Sequence, residues 1–175
     1  MKKTLKDGRS VTCRYIEEKD AQDVLNYFNQ IGKESNFLSF GSEGPGLTVE
    51  MQMEDIKKIK NKKSFYLIFE VEKEIAGIVS IRVREDRKWL MHCGNLGISC
   101  LKKYWGLGLG NIMMETTIEE SKVRGLKKIN LETREDNDIA ISLYKKFGFK
   151  GEGLVTKNLL IDGVFYNTYL MGLEL

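Results

Sequence analysis

Between residues 104 and 115 the chain reads "YWGLGLGNIMME", with Gly106, Gly108 and Gly110 at alternate positions ahead of a run with helical spacing. A glycine inside an ordered element costs roughly 0.5–1 kcal/mol of backbone entropy relative to alanine. Three so close together mark a backbone that turns at positive φ or comes very near a ligand. A glycine-rich loop that opens a helix is an anion site, because unpaired N–H groups point outward and the helix dipole favours negative charge. Phosphate is the usual guest. The Gly-x-x-x-x-Gly-Lys-Ser/Thr pattern is excluded, since no Gly-Lys-Ser/Thr occurs in the chain. The dinucleotide pattern Gly-x-Gly-x-x-Gly fits in part: Asn111 stands at the third glycine, and "CLKKYW" separates the loop from the strand before it. Glu132, ending the next strand, would suit an acidic ribose ligand, so a dinucleotide-binding enzyme stays open at this point. The plain alternative is that the glycines let a helix pack closely on a sheet.

A second constellation lies downstream, in "LETREDNDIAISLYKKFGF", where Asn137, Ala140, Leu143, Tyr144, Gly148 and Phe149 stand at set spacings. Asn137 opens a helical run and suits its N-cap. Tyr144 lies one turn beyond Ala140 on the same helix face, placed either for chemistry or for the core. Lys145 and Lys146 follow on what reads as a solvated face.

The elements that would carry these residues can be read in outline. Residues 20–31 and 48–60 have helical spacing, with Asp20 and Thr48 as N-caps. The loop "FGSEGPG" between them holds the single proline. Strands are expected at 64–71 and 75–83, a hairpin around "EKE", and at 89–99. A helix over 108–124, a strand over 127–133, a helix over 138–148 with Gly148 as its cap, and a final hairpin turning at Asp162-Gly163 complete the series. With a first strand ahead of the 20–31 helix, seven strands and four helices in this order make a mixed sheet with helices on both faces. The 175 residues fit a single domain spanning 1–175, and 42% hydrophobic with 30% charged residues is a globular composition.

Other classes are disfavoured. No apolar run reaches eighteen residues and no secretory signal opens the chain, so no membrane span and a cytoplasmic home are expected. Three cysteines (Cys13, Cys93, Cys100) without Cys-x-x-Cys spacing, and one histidine, His92, offer neither a disulfide framework nor a metal site. A net charge of +3 is too small to indicate nucleic acid. The lysine cluster "KKIKNKK" (57–63) reads as a solvated face.

Taken together, "LGISCLKKYWGLGLGNIMM" and the 137–149 segment resemble the GCN5-related N-acetyltransferase (GNAT) family. Its first pattern, Arg/Gln-x-x-Gly-x-Gly/Ala, overlays Trp105, Gly108 and Gly110. Its second, Asn-x-x-Ala-x-x-Leu-Tyr-x-x-x-Gly-Phe, overlays 137–149 at every fixed position. The first strand and helix and the C-terminal hairpin resemble the bacterial subgroup that acetylates protein N-termini, polyamines and small amines, so the likeness covers nearly the whole chain. It departs at Trp105, where the family has arginine or glutamine; Lys102 or Lys103 could supply the missing charge.

The resemblance implies an α+β fold of the GNAT type, with a central mixed, mostly antiparallel seven-stranded sheet. It implies an enzyme that moves acetyl directly from acetyl-CoA, as co-substrate, to a primary amine. The pyrophosphate would lie on the backbone of Trp105, Gly106, Leu107, Gly108, Leu109, Gly110 and Asn111. Leu96, Ile98 and Ser99 would contact the pantetheine arm, in a gap that Gly94 and Gly97 are suited to open. Asn137 would reach the coenzyme and Tyr144 would be the general acid. The attacking amine must first lose a proton, the carbonyl oxygen needs an N–H donor, and the departing thiolate needs an acid. The general base is less evident: Glu132 and Glu85 are the better candidates, ahead of His92. A covalent route through Cys93 or Cys100 lacks a histidine at a suitable spacing.

The acceptor pocket, by the same resemblance, falls to residues 25–50 and 162–168. Phe37, Phe40, Glu34, Glu43, Phe165 and Tyr166 there would suit a cationic amine. Small amine, polyamine and peptide N-terminus are not separable from sequence. Two alternatives stand beside the enzyme: a non-catalytic acyl-CoA sensor module and the dinucleotide-binding enzyme. A homodimer, pairing through the final strand "YNTYLMGLEL", is a further expectation.

Overall fold

A computed structural model describes residues 2–59 and 62–175. Lys60, the last residue of the expected second helix, and Asn61, both within the 57–63 lysine cluster, lie outside the described residues.

The elements run β1 (Lys2–Thr4), β2 (Ser10–Tyr15), α1 (Ala21–Glu34), α2 (Val49–Ile59), β3 (Phe65–Val71), β4 (Glu74–Val83), β5 (Cys93–Cys100), α3 (Leu109–Val123), β6 (Lys128–Arg134), α4 (Asp138–Lys146), β7 (Lys150–Ile161) and β8 (Val164–Glu174). Short 3-10 turns at Glu18–Asp20 and Lys102–Tyr104 precede α1 and α3. The sheet has eight strands in the order β1-β2-β3-β4-β5-β6-β8-β7, one more than the sequence suggested. The addition is β1, which pairs antiparallel with β2 through a turn at Gly8, where φ is +88°. Every pairing is antiparallel except β5 with β6.

The central strands explain themselves. "FYLIFEV" is apolar on both faces, and β3 is buried on both. Each such side chain, fully buried, contributes on the order of 1.5–3 kcal/mol. Helix α1 turns Val24, Leu25, Tyr27 and Ile31 inward. Thr48 caps α2 as expected, accepting the Met51 N–H at 3.2 Å. Asp20 does not cap α1. Its carboxylate instead takes the Glu17 N–H at 2.7 Å and the Arg14 guanidinium at 2.7 and 3.0 Å.

The expected strand over 89–99 starts only at Cys93. Residues 84–93 fold into successive turns, with Arg87 N–H bonded to Arg84 C=O, Leu90 to Arg87 and Cys93 to Leu90. Beyond α4, Gly148 at φ +90° ends the helix, and the Phe149 N–H returns to the Tyr144 carbonyl. Strand β8, expected as a free pairing edge, runs between β6 and β7, and the outer edge belongs to β7.

The sheet faces are set by register. Tyr66, Ser80 and Gly97 are direct partners across β3, β4 and β5. Helices α1 and α2 cover this face: Tyr27 bonds the Ser99 hydroxyl at 3.0 Å, and Asp55 takes the Tyr66 hydroxyl at 2.9 Å. On the opposite face Met113 of α3 packs over Gly77.

Candidate active site

One feature of the register opens the site. Strand β5 pairs with β6 only over Cys93, Gly94 and Asn95, against Lys128, Ile129 and Asn130. Both strands continue, β5 to Cys100 and β6 to Arg134, without pairing further with each other. The Leu101 N–H bonds Ala76 on the β4 side. By the period of two along a strand, the main-chain groups of Ser99 and Gly97 also face β4, while those of Leu96, Ile98 and Cys100 face the gap. The Cys100 carbonyl confirms this direction, since it accepts the Trp105 indole N–H at 3.0 Å from outside the β4 ladder.

The gap belongs to a cleft of about 870 Å³, a size that suits a small-molecule ligand. Leu96, Ile98, Ser99, Trp105, Gly106, Gly108, Leu109, Gly110, Asn111, Glu132, Asn137 and Tyr144 line it. Of the residues expected to hold the coenzyme, Leu107 is the exception: its side chain packs on the core and its carbonyl takes the Lys6 N–H at 3.0 Å. Ser99 has its hydroxyl on Tyr27.

At the glycine loop, Gly106 and Gly108 sit at φ +74° and +91°, a conformation that side chains resist. It frees the start of α3. Asn111 and Ile112 N–H groups return to the Gly108 carbonyl, whereas those of Gly106, Gly108, Leu109 and Gly110 have no acceptor among the described residues. Four unpaired donors at a helix N-terminus fit a pyrophosphate. The cations at this end differ from those expected. Lys103 is paired with Glu74 at 2.5 Å, and neither it nor Lys102 lines the cleft. Lys6 and Lys146 do. The Lys6 stem lies over Gly108, where a built Cβ would find its Cγ at 3.8 Å, and Lys146 bonds the Asn111 side chain.

Tyr144 is 7% exposed, and its hydroxyl has no hydrogen-bond partner among the described residues. Burial pushes its pKa up to about 12, with a smaller contribution from nearby Cys100. Cys100, lining the same cleft, is itself pushed up to about 11 by burial. Asn137 caps α4, accepting the Ala140 N–H at 3.3 Å.

Across the gap, Glu132 accepts the Thr168 hydroxyl at 2.7 Å and is also bonded by Asn158. Glu85 is turned away: its carboxylate takes the Lys63 and Ser64 N–H groups at 2.9 and 3.2 Å and does not line the cleft. His92 does not line it either.

The acceptor end is walled by α1, α2 and the loop 35–48. Glu34, Phe37 and Phe40 line it, and Glu43 and Phe165 do not. Glu43 folds back to take the Gly41 N–H at 3.0 Å. Tyr166 instead stacks on Arg134, 3.7 Å from the guanidinium to the ring centre.

Residues 33–149 match the family model described as the acetyltransferase (GNAT) family. The chain belongs to this family. An acetyltransferase of the GNAT family from Streptococcus pneumoniae is similar over 94% of this chain and 99% of its own, at 32% identity and a TM-score of 0.90. The N-alpha-acetyltransferase of Sulfurisphaera tokodaii is 29% identical over 128 residues, covering 69% of this chain and 75% of that protein. The spermidine N(1)-acetyltransferase of Escherichia coli strain K12 is 24% identical over 167 residues, covering 94% and 86%.

Among the residues not singled out in the sequence, Lys6 and Gln52 line this GNAT cleft, and Arg134 stands behind its wall, bonded to the Asn36 carbonyl. Lys6 is placed by the Asp7-Gly8 turn, a signal that was there to read. Gln52 is a polar residue four before Ile56 on the inward face of α2, which the periodicity also carried. Arg134 gives no local sign of its tertiary partners.

Proposed function

We propose that this GNAT chain transfers the acetyl group of acetyl-CoA directly to a primary amine. The observation that supports this best is the meeting, in one cleft, of the open β5 edge, the unpaired N–H groups of the glycine loop, and Tyr144. The loop would hold the pyrophosphate through backbone N–H groups that tryptophan at position 105 leaves intact. Gap-facing main-chain groups of Leu96 and Ile98 would hold the pantetheine arm and donate to the carbonyl oxygen as it gathers charge.

Glu132, on the acceptor side, would take the proton from the amine, and Tyr144 would give one to the departing sulfur. A phenol at about 12 looks too weak an acid for a free thiolate. The same cleft, however, raises the thiol of Cys100 to about 11. A thiolate released beside Tyr144 would be made more basic in the same way, so the proton transfer is close to balanced. The acid needs its proton, and a pKa moved upward keeps it there: Tyr144 stays protonated through pH 10.

The test is acetyl transfer to a panel of amines, with Tyr144→Phe beside the wild type. The variant should lose roughly 100-fold in kcat with acetyl-CoA binding retained. The wild-type kcat should show no descending limb below pH 10. Undiminished turnover in Tyr144→Phe removes the acid role. Coenzyme binding without transfer to any amine supports the sensor module instead.

A cytoplasmic setting and a homodimer are also part of this reading. The dimer rests on the outer hairpin, where Leu160, Val164 and Phe165 are more than half exposed. A monomeric mass at all concentrations by sedimentation would remove it.

A further inference from the structure

On the face covered by α1 and α2, one patch of the cleft is not used by the transfer chemistry above. Gln52 is 2% exposed, lines the cleft, and its side-chain amide makes no hydrogen bond to any described residue. Buried amides are ordinarily bonded, and an unbonded one facing a cavity is waiting for a ligand. One turn further along α2, Asp55 takes the Tyr66 hydroxyl at 2.9 Å and the Arg82 guanidinium at 3.1 and 2.7 Å. Tyr66 is in register with Ser80, and Ser80 with Gly97. The Ser80 hydroxyl also has no partner among the described residues. It stands above Gly97, where a Cβ would come within 2.7 Å of it. Glycine at 97 therefore keeps the floor of this patch open around a free hydroxyl.

The charge of the patch decides its ligand. Asp55 is the carboxylate here, and Arg82 balances it. At this patch, unlike at Glu34 and Glu132 elsewhere in the cleft, a polycation would find no unmatched negative charge, and an anion no unmatched positive one. What remains free is a donor-and-acceptor amide from Gln52 and a hydroxyl from Ser80. A neutral group that both donates and accepts matches them, and a carboxamide does so in one plane.

We infer that Gln52 and Ser80 form a subsite for a carboxamide carried by the acceptor next to its primary amine. This rests on the transferase reading of the same cleft. The amide could be that of a small amino-acid amide or the first peptide bond of a longer chain. Gln52 is then a specificity residue, since a site built to bond an amide rejects an acceptor of the same shape that lacks it.

The test compares three acceptors at matched concentrations of unprotonated amine: alaninamide, its near-isosteric hydrocarbon 3-methyl-2-butanamine, and spermidine. The wild type should favour alaninamide over both by about tenfold or more in kcat/KM. In Gln52→Met that ratio should collapse towards one, with stabilisation by acetyl-CoA retained as the sign of a folded coenzyme site. Should Gln52→Met fail to fold, Ser80→Ala reads the same subsite from the floor and should lower the ratio several-fold. Trialanine separates the sources: faster transfer than to alaninamide supports a peptide, slower transfer a small amide, and both support the subsite. Equal rates with alaninamide and the hydrocarbon, faster transfer to spermidine, or an unchanged ratio in both variants overturns it. Transfer to no amine at all overturns the transferase reading and this subsite together, whereas unselective transfer overturns the subsite alone.

Discussion

Lys6 brings to the glycine loop a charge from a different part of the chain. The family's arginine or glutamine is Trp105 here, and its indole is engaged with the Cys100 carbonyl. An ammonium reaches the glycine loop from the β1–β2 turn, where the Lys6 N–H is anchored on Leu107 and its stem crosses Gly108. Such an exposed cation contributes modestly to holding a phosphate, on the order of 0.5–1 kcal/mol. Lys6→Ala should therefore weaken acetyl-CoA binding roughly three- to fivefold at low salt. The deficit should shrink as ionic strength rises and screening removes what the wild type had. Titration calorimetry at two salt concentrations reads both effects. Equal affinities at low salt would leave the backbone donors to hold the coenzyme without Lys6.

At the scale of elements, Arg134 joins four segments. Its side chain is 3% exposed. From the end of β6 it forks onto Asp136 at 2.9 and 2.6 Å, donates to the Asn36 carbonyl at 3.0 Å, and stacks on Tyr166 and Phe37. Asn36 and Phe37 belong to the loop that walls the acceptor end, so this guanidinium fixes that wall to β6 and β8. Lysine can keep the charge but neither the fork nor the stacked plane. Arg134→Lys should raise KM for the amine about tenfold, change KM for acetyl-CoA little, and cost about 2–3 kcal/mol in urea unfolding. A stability loss with no change in the amine KM would make Arg134 structural only. None of this was legible in "LETRED", because all but the Asp136 contact are tertiary. The elements themselves were largely legible: β3 announces its burial by an unbroken apolar run and α1 by its period, and Asn137 and Gly148 announce the ends of α4. The exceptions have local causes. The three-residue β1 is too short to carry a pattern, and the residues before Cys93 close as consecutive turns although "WLMH" is apolar. The glycine loop could be read as an anion site, but the seam between β5 and β6 is set by pairing alone.

That seam governs the whole molecule. The sheet consists of β1 to β5 on one side and β6, β8 and β7 on the other, joined in register by three residue pairs. Beyond them the two parts are held by the shared core: α3 buries Leu109, Met113 and Met114, and Leu143 of α4 packs over Gly110. A ligand whose arm lies in the gap and whose phosphates lie on the α3 N-terminus would bond both parts at once. Its binding should then appear as global stabilisation and as protection along the open edge. At one hundred times its dissociation constant, acetyl-CoA should stabilise the fold by about 2.7 kcal/mol, or roughly 5–10 °C in Tm for a domain of this size. Hydrogen exchange should slow most at the Leu96, Ile98 and Cys100 amides, which face the gap, and at the glycine-loop amides. Gly97 and Ser99, already bonded to β4, should change less. NADH serves as the control and should do neither. Stabilisation without protection at Leu96 and Ile98 would mean that the coenzyme binds by its phosphates alone. No stabilisation by acetyl-CoA, with NADH effective instead, would return the glycine loop to a dinucleotide.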